Sequence, residues 1–327
     1  MALGEADLRD MYWTMLLARR LDERAWILHR QGKIAFHISG IGHEAAQVGT
    51  AFALERGRDW FVPYYRDLAM MLALGYSPRD FMLALMGKQG EPTSGAKQMP
   101  SHWSIKSANV VSHSSPVATQ TTHAAGIGLG IKLSRGDEIV LTCIGEGSTS
   151  QGEWYEGVNW AAVHKLPVIF LVENNAYAIS VRQERQMATK NVAKKADGLG
   201  LPGYCIDGLN PRNVHETISE AAARARAGDG PTLVEVLVSR MTPHSSDDDD
   251  RTYRSREEVE QMKAEDPLPA FAEQLKAEGV LSEELIEEMD AKAKEQITKA
   301  VEYAEQAVYP EISGASHPVY AEEVSHG

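Results

Sequence analysis

The sequence predicts an α/β protein: a mostly parallel central sheet with helices on both faces, followed by a helical C-terminal region. Three observations carry this. EIVLTCIG (138–145) and PVIFLVEN (167–174) are near-continuous apolar runs of strand length, the pattern of strands covered on both faces. Between them EWYEGVNWAAVHKL (153–166) reads as a helix, so the three form a βαβ unit with parallel strands and a right-handed crossover. A further helical stretch (211–227) leads into a third strand, TLVEVLVSR (232–240).

The remaining elements follow in chain order. Leu8, Met11, Tyr12, Met15, Leu16 and Arg19 recur at three- and four-residue spacing, which predicts one helix over 5–31, ended by Gly32. KIAFHISGIG (33–42) reads as β-like and then glycine-rich. Residues 42–54 return to a helical pattern with small side chains. Short helices are expected at 67–75 and 78–87, the second opened by Pro78. Residues 87–115 are polar, punctuated by glycine and proline, and without period; a loop this long inside a compact protein is usually functional. Residues 117–133 read as a small-residue helix. After the acidic run 247–250 the chain is helical and charged, with a long amphipathic stretch near 282–308. No internal repeat is present. The expected organisation is an α/β domain over 1–265 and a helical extension over 266–327.

Composition narrows the function. With 327 residues and 43% hydrophobic content the chain can bury a sizeable core. A net charge of −13 argues against nucleic acid or an anionic membrane as the main partner. The two cysteines, Cys143 and Cys205, make neither a disulfide framework nor a zinc cluster, which points to a reducing compartment. No apolar stretch approaches the ~20 residues of a spanning helix. The acidic start, MALGEADLRDMYW, lacks a secretion signal, so a cytoplasmic location is expected.

In open parallel sheets, ligands bind beyond the carboxyl ends of the strands. Three polar stretches leave those ends: Gly145-Glu146-Gly147-Ser148, Glu173-Asn174-Asn175-Ala176-Tyr177, and Arg240 to Asp250 with His244 and Ser245. Glu146 and Asn175 sit at the two strand ends of one βαβ unit, so an anionic oxygen and an amide oxygen aim at one point. Magnesium takes about six hard oxygen ligands and usually keeps phosphate and water among them. Glu146, Asn175 and a loop carbonyl near Tyr177 would supply three. Gly147 lets the backbone approach a phosphate, and the next helix start can present amides to the anion. A lone G-x-G is weak evidence, and an Asn-Asn pair is commonly just a turn. Their weight comes from flanking the same crossover.

The stretch GEGSTSQGEWYEGVNWAAVHKLPVIFLVENNAYAIS (145–180) resembles the thiamine-diphosphate motif. From about residue 8 to about 310 the chain is similar to the alpha subunit of the 2-oxo acid dehydrogenase component. RQGKIAFHISGIGHEAAQVGTAFAL, FVPYYRDLAMML, AKQMPSHW, SHSSPVATQ and HSSDDDDRTYRS carry the likeness. RQGKIAF, QMPSHW and the form GEG favour the branched-chain type, with pyruvate and acetoin dehydrogenase alpha subunits as the near alternatives. The resemblance implies a thiamine-diphosphate-binding fold, thiamine diphosphate and Mg2+ as cofactors, and decarboxylation of a small 2-oxo acid with acyl transfer to a lipoyl group.

It also implies roles. Glu146, Asn175 and the backbone oxygen of Tyr177 match the metal ligands. Arg66 matches an arginine on the diphosphate, where a guanidinium can meet two oxygens, and Tyr64 and Tyr65 wall the same pocket. Gly145, Gly147 and Ser148 belong to the cofactor motif, and Ser115 and Val117 to a loop whose backbone grips the aminopyrimidine. His244 matches a histidine near the diphosphate and the reactive carbon, and His102 is a second catalytic candidate. Phe36, Tyr65, Met99 and His102 form the expected substrate pocket; for Phe36 and Met99, simple core packing is as good a reading. Asp248 and Arg254 are expected to order the 244–254 loop, and Ser245 matches a serine modified by kinases in some relatives. Branched-chain relatives often carry arginine where this chain has Glu173; a second carboxylate would repel a diphosphate, so Glu173 is expected to turn away.

The family's catalytic glutamate lies on a beta subunit, and no matching segment occurs here. The expected assembly is therefore two alpha plus two beta chains, with a lipoyl-bearing acyltransferase as the next partner. Two readings from other classes are a magnesium-dependent phosphate-ester hydrolase and a non-catalytic scaffold subunit.

Overall fold

The structure is a computed structural model that describes residues 3–316, so the end of the expected C-terminal extension lies outside the described residues. In chain order it comprises α1 (Glu5–Arg30), α2 (Glu44–Phe52), β1 (Trp60–Val62), α3 (Leu68–Ala73), α4 (Pro78–Leu85), α5 (Thr119–Ser134), β2 (Val140–Gly145), α6 (Gly152–Val163), β3 (Val168–Asn174), β4 (Tyr177–Ala178), β5 (Val181–Arg182), α7 (Lys195–Leu199), β6 (Gly203–Asp207), α8 (Pro211–Arg226), β7 (Thr232–Leu237), α9 (Arg256–Ala264), α10 (Pro267–Ala277) and α11 (Glu283–Gln306).

Five strands form one sheet in the order β1-β2-β3-β7-β6, every neighbouring pair parallel. The apolar runs divide between its faces. Leu141, Cys143, Ile169, Leu171, Val234 and Val236 join one core, which also takes Leu17, Leu21, Phe81 and Val214 from α1, α4 and α8. Val140, Ile144, Val168, Phe170 and Val172 join the other, with Ala124 and Ala125 of α5 and Trp154, Val158 and Ala161 of α6. Two-sided burial explains why these strands show no polar alternation.

Two strands left no clear mark in the sequence. β1 has only three residues, and β6 is an edge strand whose residues are exposed or half-buried. Conversely, residues 33–42 form no strand. Their backbone groups go elsewhere: Gly40 N–H donates to Asp22 Oδ2 (2.7 Å), His37 N–H to Ser246 Oγ (3.0 Å), and His37 C=O accepts from Ser246 N–H (2.8 Å). Commitment to side chains and a distant loop leaves no ladder to join.

The helix ends follow ordinary chemistry. Ser77 caps α4 by accepting from Asp80 N–H (3.1 Å), with Pro78 at the first position, and Ser282 caps α11 in the same manner (3.2 Å). Asp266, where the extension was expected to begin, is the N-cap of α10. Leu268, Phe271 and Leu275 of α10 pack on Leu8, Met11 and Met15 of α1, while Ile297 and Val301 of α11 enter the main core. Arg19 ties α1, α2 and α10 together through Glu44 (2.6 Å) and Asp266 (2.7 Å). Among the described residues no helix is long and apolar enough to cross a membrane.

Candidate active site

β2 and β3 run side by side until Gly145 pairs with Glu173, and the chain turns out of the sheet just beyond each. Glu146 follows Gly145 directly and is 1% exposed. Its Oε2 accepts from Asn175 N–H (3.3 Å), while its Oε1 is buried without a partner. The two asparagines after β3 part ways. Asn174 donates to Glu235 Oε1 (2.6 Å) and Gln183 Oε1 (2.9 Å), which fastens the turn to the sheet. Asn175 faces the cleft, its Oδ1 accepting from Tyr177 N–H (3.2 Å). The β4–β5 hairpin then lies over Gly147 so closely that a Cβ there would stand 2.6 Å from Ala178 Cβ. Only glycine fits.

These residues open onto a cleft of about 370 Å³. Tyr65, Arg66, Ser115, Val117, Gly145, Glu146, Gly147, Ser148, Asn175, Tyr177 and His244 all line it, so every residue expected to touch cofactor or metal is gathered around one space. Tyr177 is buried, and its hydroxyl is committed to Glu258 Oε1 (2.5 Å), which leaves its backbone oxygen as the group it could offer a cation. Tyr64 lines the cleft beside Tyr65, as expected, while sequence reasoning missed Gln151, Ala178 and Ile179, which carry no motif of their own.

The expected substrate pocket is not one cavity. Tyr65 lines the cleft, and His102 touches it through Ser115, whose Oγ lies 2.6 Å from His102 Nε2. Met99 is 54% exposed and lines a small separate hollow with His102. Phe36 is half-buried and is not part of the cleft wall.

The electrostatics suit an anion beside a cation. Arg66 and Arg240 are both almost wholly buried, and both keep unpartnered N–H groups, Nε on Arg66 and Nε and Nη1 on Arg240. Arg66 donates through Nη1 to Ser39 C=O and through Nη2 to His244 Nδ1 (3.3 Å). Burial, then the Arg66 and Arg240 charges, push the His244 imidazole down to about 4. His244 is therefore neutral at pH 7, accepts at Nδ1 and carries its proton on Nε2. Burial holds the Glu146 carboxyl above the usual range, because no neighbour fully compensates its charge. A divalent ion would supply that compensation, and an anion would compensate the guanidinium groups.

The 244–254 loop is held as expected. Asp248 Oδ2 accepts from His244 N–H (2.8 Å) and from the Tyr253 hydroxyl. Arg254 donates to the Arg240 and Thr242 carbonyls, the latter at 2.8 Å, and pairs with Asp250.

Glu173 does turn from the cleft and is fully buried behind it. Its Oε2 accepts from His43 Nδ1 (2.6 Å), Gln47 Nε2 (3.1 Å) and the Tyr64 hydroxyl (3.3 Å). Asp67 lies beside it, and burial together with the Glu173 charge raises the Asp67 carboxyl far above its ordinary value. Asp67, Cys143 and Glu173 offer atoms within 4.8 Å of one another, but burial raises both the Asp67 carboxyl and the Cys143 thiol, which favours their proton-bearing, poorly ligating forms. No signal in the sequence marked this cluster, because its three members come from three separate segments.

The side-chain oxygens of Glu146 and Asn175, on adjacent strand tips of a parallel α/β sheet, thus share a cleft with the buried Arg66 guanidinium, and Arg240 lies buried close behind. Residues 12–313 match the family described as dehydrogenase E1 component, and the chain belongs to it. This family depends on thiamine diphosphate. The chain is 48% identical to the 2-oxoisovalerate dehydrogenase subunit alpha of Bacillus subtilis, over 98% of each chain. It is 38% identical to the 3-methyl-2-oxobutanoate dehydrogenase subunit alpha of Mycobacterium tuberculosis, over 89% of this chain and 77% of that one. It is 36% identical to the pyruvate dehydrogenase E1 component subunit alpha of Bacillus subtilis, over 93% and 79%.

Proposed function

We propose that this chain is the alpha subunit of a branched-chain 2-oxo acid dehydrogenase, working with a beta subunit in a two-alpha, two-beta assembly that feeds a lipoyl-bearing acyltransferase in the cytoplasm. Two facts favour branched-chain substrates over pyruvate: the higher identity to the 2-oxoisovalerate and 3-methyl-2-oxobutanoate enzymes' subunits, and the RQGKIAF and QMPSHW segments.

The observation that carries the reading is the partnerless Oε1 of Glu146, buried in the same cleft as Asn175. With the backbone oxygen of Tyr177 these groups would hold Mg2+. Arg66 would meet the diphosphate with its free N–H, and His244 would add an Nε2 donor at the same end. The backbone at Ser115 and Val117 would position the aminopyrimidine. Thiamine diphosphate, when bound, supplies the electron sink for decarboxylation. The chain's own residues bind and orient it and keep water from the reacting atoms. His102 bonds to Ser115 at the cleft wall, where it can steady the 2-oxo acid's carboxylate or hold a proton at Nε2.

The test is steady-state kinetics of the assembled alpha–beta complex with 3-methyl-2-oxobutanoate, 4-methyl-2-oxopentanoate and pyruvate. A kcat/KM at least about tenfold higher for the branched substrates supports the reading, a margin equal to ~1.4 kcal/mol at the transition state. Preference for pyruvate refutes the substrate class. Activity that does not need thiamine diphosphate refutes the mechanism.

A further inference from the structure

Asn175 can serve a cation only if its oxygen, not its nitrogen, faces the metal. The amide of a free asparagine flips, and the two ends differ in chemistry but hardly in shape. Here the nitrogen end is held from behind. Asn175 Nδ2 lies 3.4 Å from His43 Nε2, and Oδ1 accepts from Tyr177 N–H. An amide nitrogen only donates, so His43 Nε2 must accept and carry no proton. The proton is then on Nδ1, which stands 2.6 Å from Glu173 Oε2, an acceptor. His43, Glu173 and the Asn175 amide thus form one directed chain in which each donor meets an acceptor. All three are at most 5% exposed, so water offers no substitute.

We propose that His43 is a positioning residue for the metal ligand: Glu173 fixes its Nδ1–H tautomer, and the bare Nε2 locks the Asn175 amide with Oδ1 toward the cation. This rests on the reading that Glu146 and Asn175 bind Mg2+. It also gives Glu173 a purpose. A carboxylate one strand position from a diphosphate site is a liability unless it is buried and committed, and three donors commit it. The lock belongs to the pattern in which groups behind a metal ligand set its orientation, whose loss typically costs about 10–100-fold in metal affinity.

Two isosteric halves of the imidazole separate positioning from packing. His43→Gln can place an oxygen near the lost Nε2 and still accept from Asn175, but loses the donor to Glu173. His43→Asn can place a donor near the lost Nδ1 and satisfy Glu173, but leaves Asn175 unheld. The experiment titrates Mn2+ into the assembled alpha–beta complex with saturating thiamine diphosphate, follows free Mn2+ by electron paramagnetic resonance, and records the melting midpoint of each variant. The expected result is Mn2+ affinity within about threefold of wild type for His43→Gln and at least about tenfold weaker for His43→Asn. Equal affinities in the two variants, whether both at the wild-type level or both reduced together with the melting midpoint, overturn the proposal and reduce His43 to packing. Glu146→Gln is measured alongside: if it binds Mn2+ as tightly as wild type, the cation site itself is wrong, a failure distinct from that of His43.

Discussion

Gly147→Ala is the sharpest steric test of the cleft. The added Cβ would lie 2.6 Å from Ala178 Cβ and 3.3 Å from Ala178 Cα. Carbon atoms pack at about 3.5–4.0 Å, so Ala178 must retreat by roughly 1 Å. Neither side can swing aside, because the clash involves a Cβ and backbone rather than the end of a long side chain. Ala178 pairs with Val181 in the β4–β5 hairpin, and Tyr177, the expected backbone metal ligand, is its neighbour. The strain of such overpacking is about 1–3 kcal/mol of stability. The larger effect is functional: disturbing what orients a metal ligand typically costs about 10–100-fold in metal affinity. Calorimetric titration of the assembled complex with thiamine diphosphate and Mg2+ measures it, with circular dichroism to show that the fold persists. Gly152→Ala is the control. It makes the same chemical change five residues along, where a Cβ meets nothing within 4 Å, and should be neutral or stabilising by ~0.4–1 kcal/mol in the isolated chain. Cofactor affinity of Gly147→Ala within threefold of wild type would show that the hairpin does not govern the site.

Three further outcomes are expected. Glu146→Gln should abolish cation-dependent cofactor binding yet raise the melting midpoint of the ligand-free chain. Its folded carboxyl is raised above the unfolded value, so its ionisation costs stability above pH 4.5, and the gain should shrink as pH falls from 7 toward 4.5; a gain independent of pH contradicts this. His244, lowered to about 4, should stay neutral in the ligand-free protein down to pH 5.5, which nuclear magnetic resonance titration of the imidazole checks; protonation near 6.5 would mean that Arg66 and burial do not control it. Because the unfolded state binds the extra proton, His244 also makes stability fall as pH drops from 6.5 to 4. Arg66→Lys loses the forked contact and the Ser39 carbonyl bond, and should weaken thiamine diphosphate by about 10–100-fold, from ~1.5–3 kcal/mol per charged hydrogen bond, in a calorimetric titration.

The βαβ unit was legible because burial on both faces forces continuous apolar strands, and Glu146 and Asn175 stood out as polar residues at their ends. β1 and β6 were not legible: three residues carry no period, and a half-exposed edge strand carries no apolar signal. Residues 33–42 misled because extended residues such as Ile34 and Phe36 favour a strand locally, while Asp22 and Ser246, both distant in sequence, claim the backbone. Every expected cofactor and metal residue lines one cleft since all leave the same end of the sheet or the loops over it. Phe36 and Met99 were grouped with the pocket from the segments that carry the resemblance and from their apolar type, and neither fixes where a loop side chain goes. The His43–Glu173–Asn175 chain was invisible for a related reason: it joins the N-cap of α2 to the end of β3 and the turn after it, whose adjacency only the fold creates.

The central claim, that two neighbouring strand tips grip one divalent ion, is tested most directly by anomalous diffraction from the alpha–beta complex crystallised with thiamine diphosphate and Mn2+. The account predicts a single Mn2+ peak per cleft, bonded to a Glu146 carboxylate oxygen, Asn175 Oδ1 and the Tyr177 carbonyl. A peak that touches neither Glu146 nor Asn175, with the cofactor bound, would contradict it.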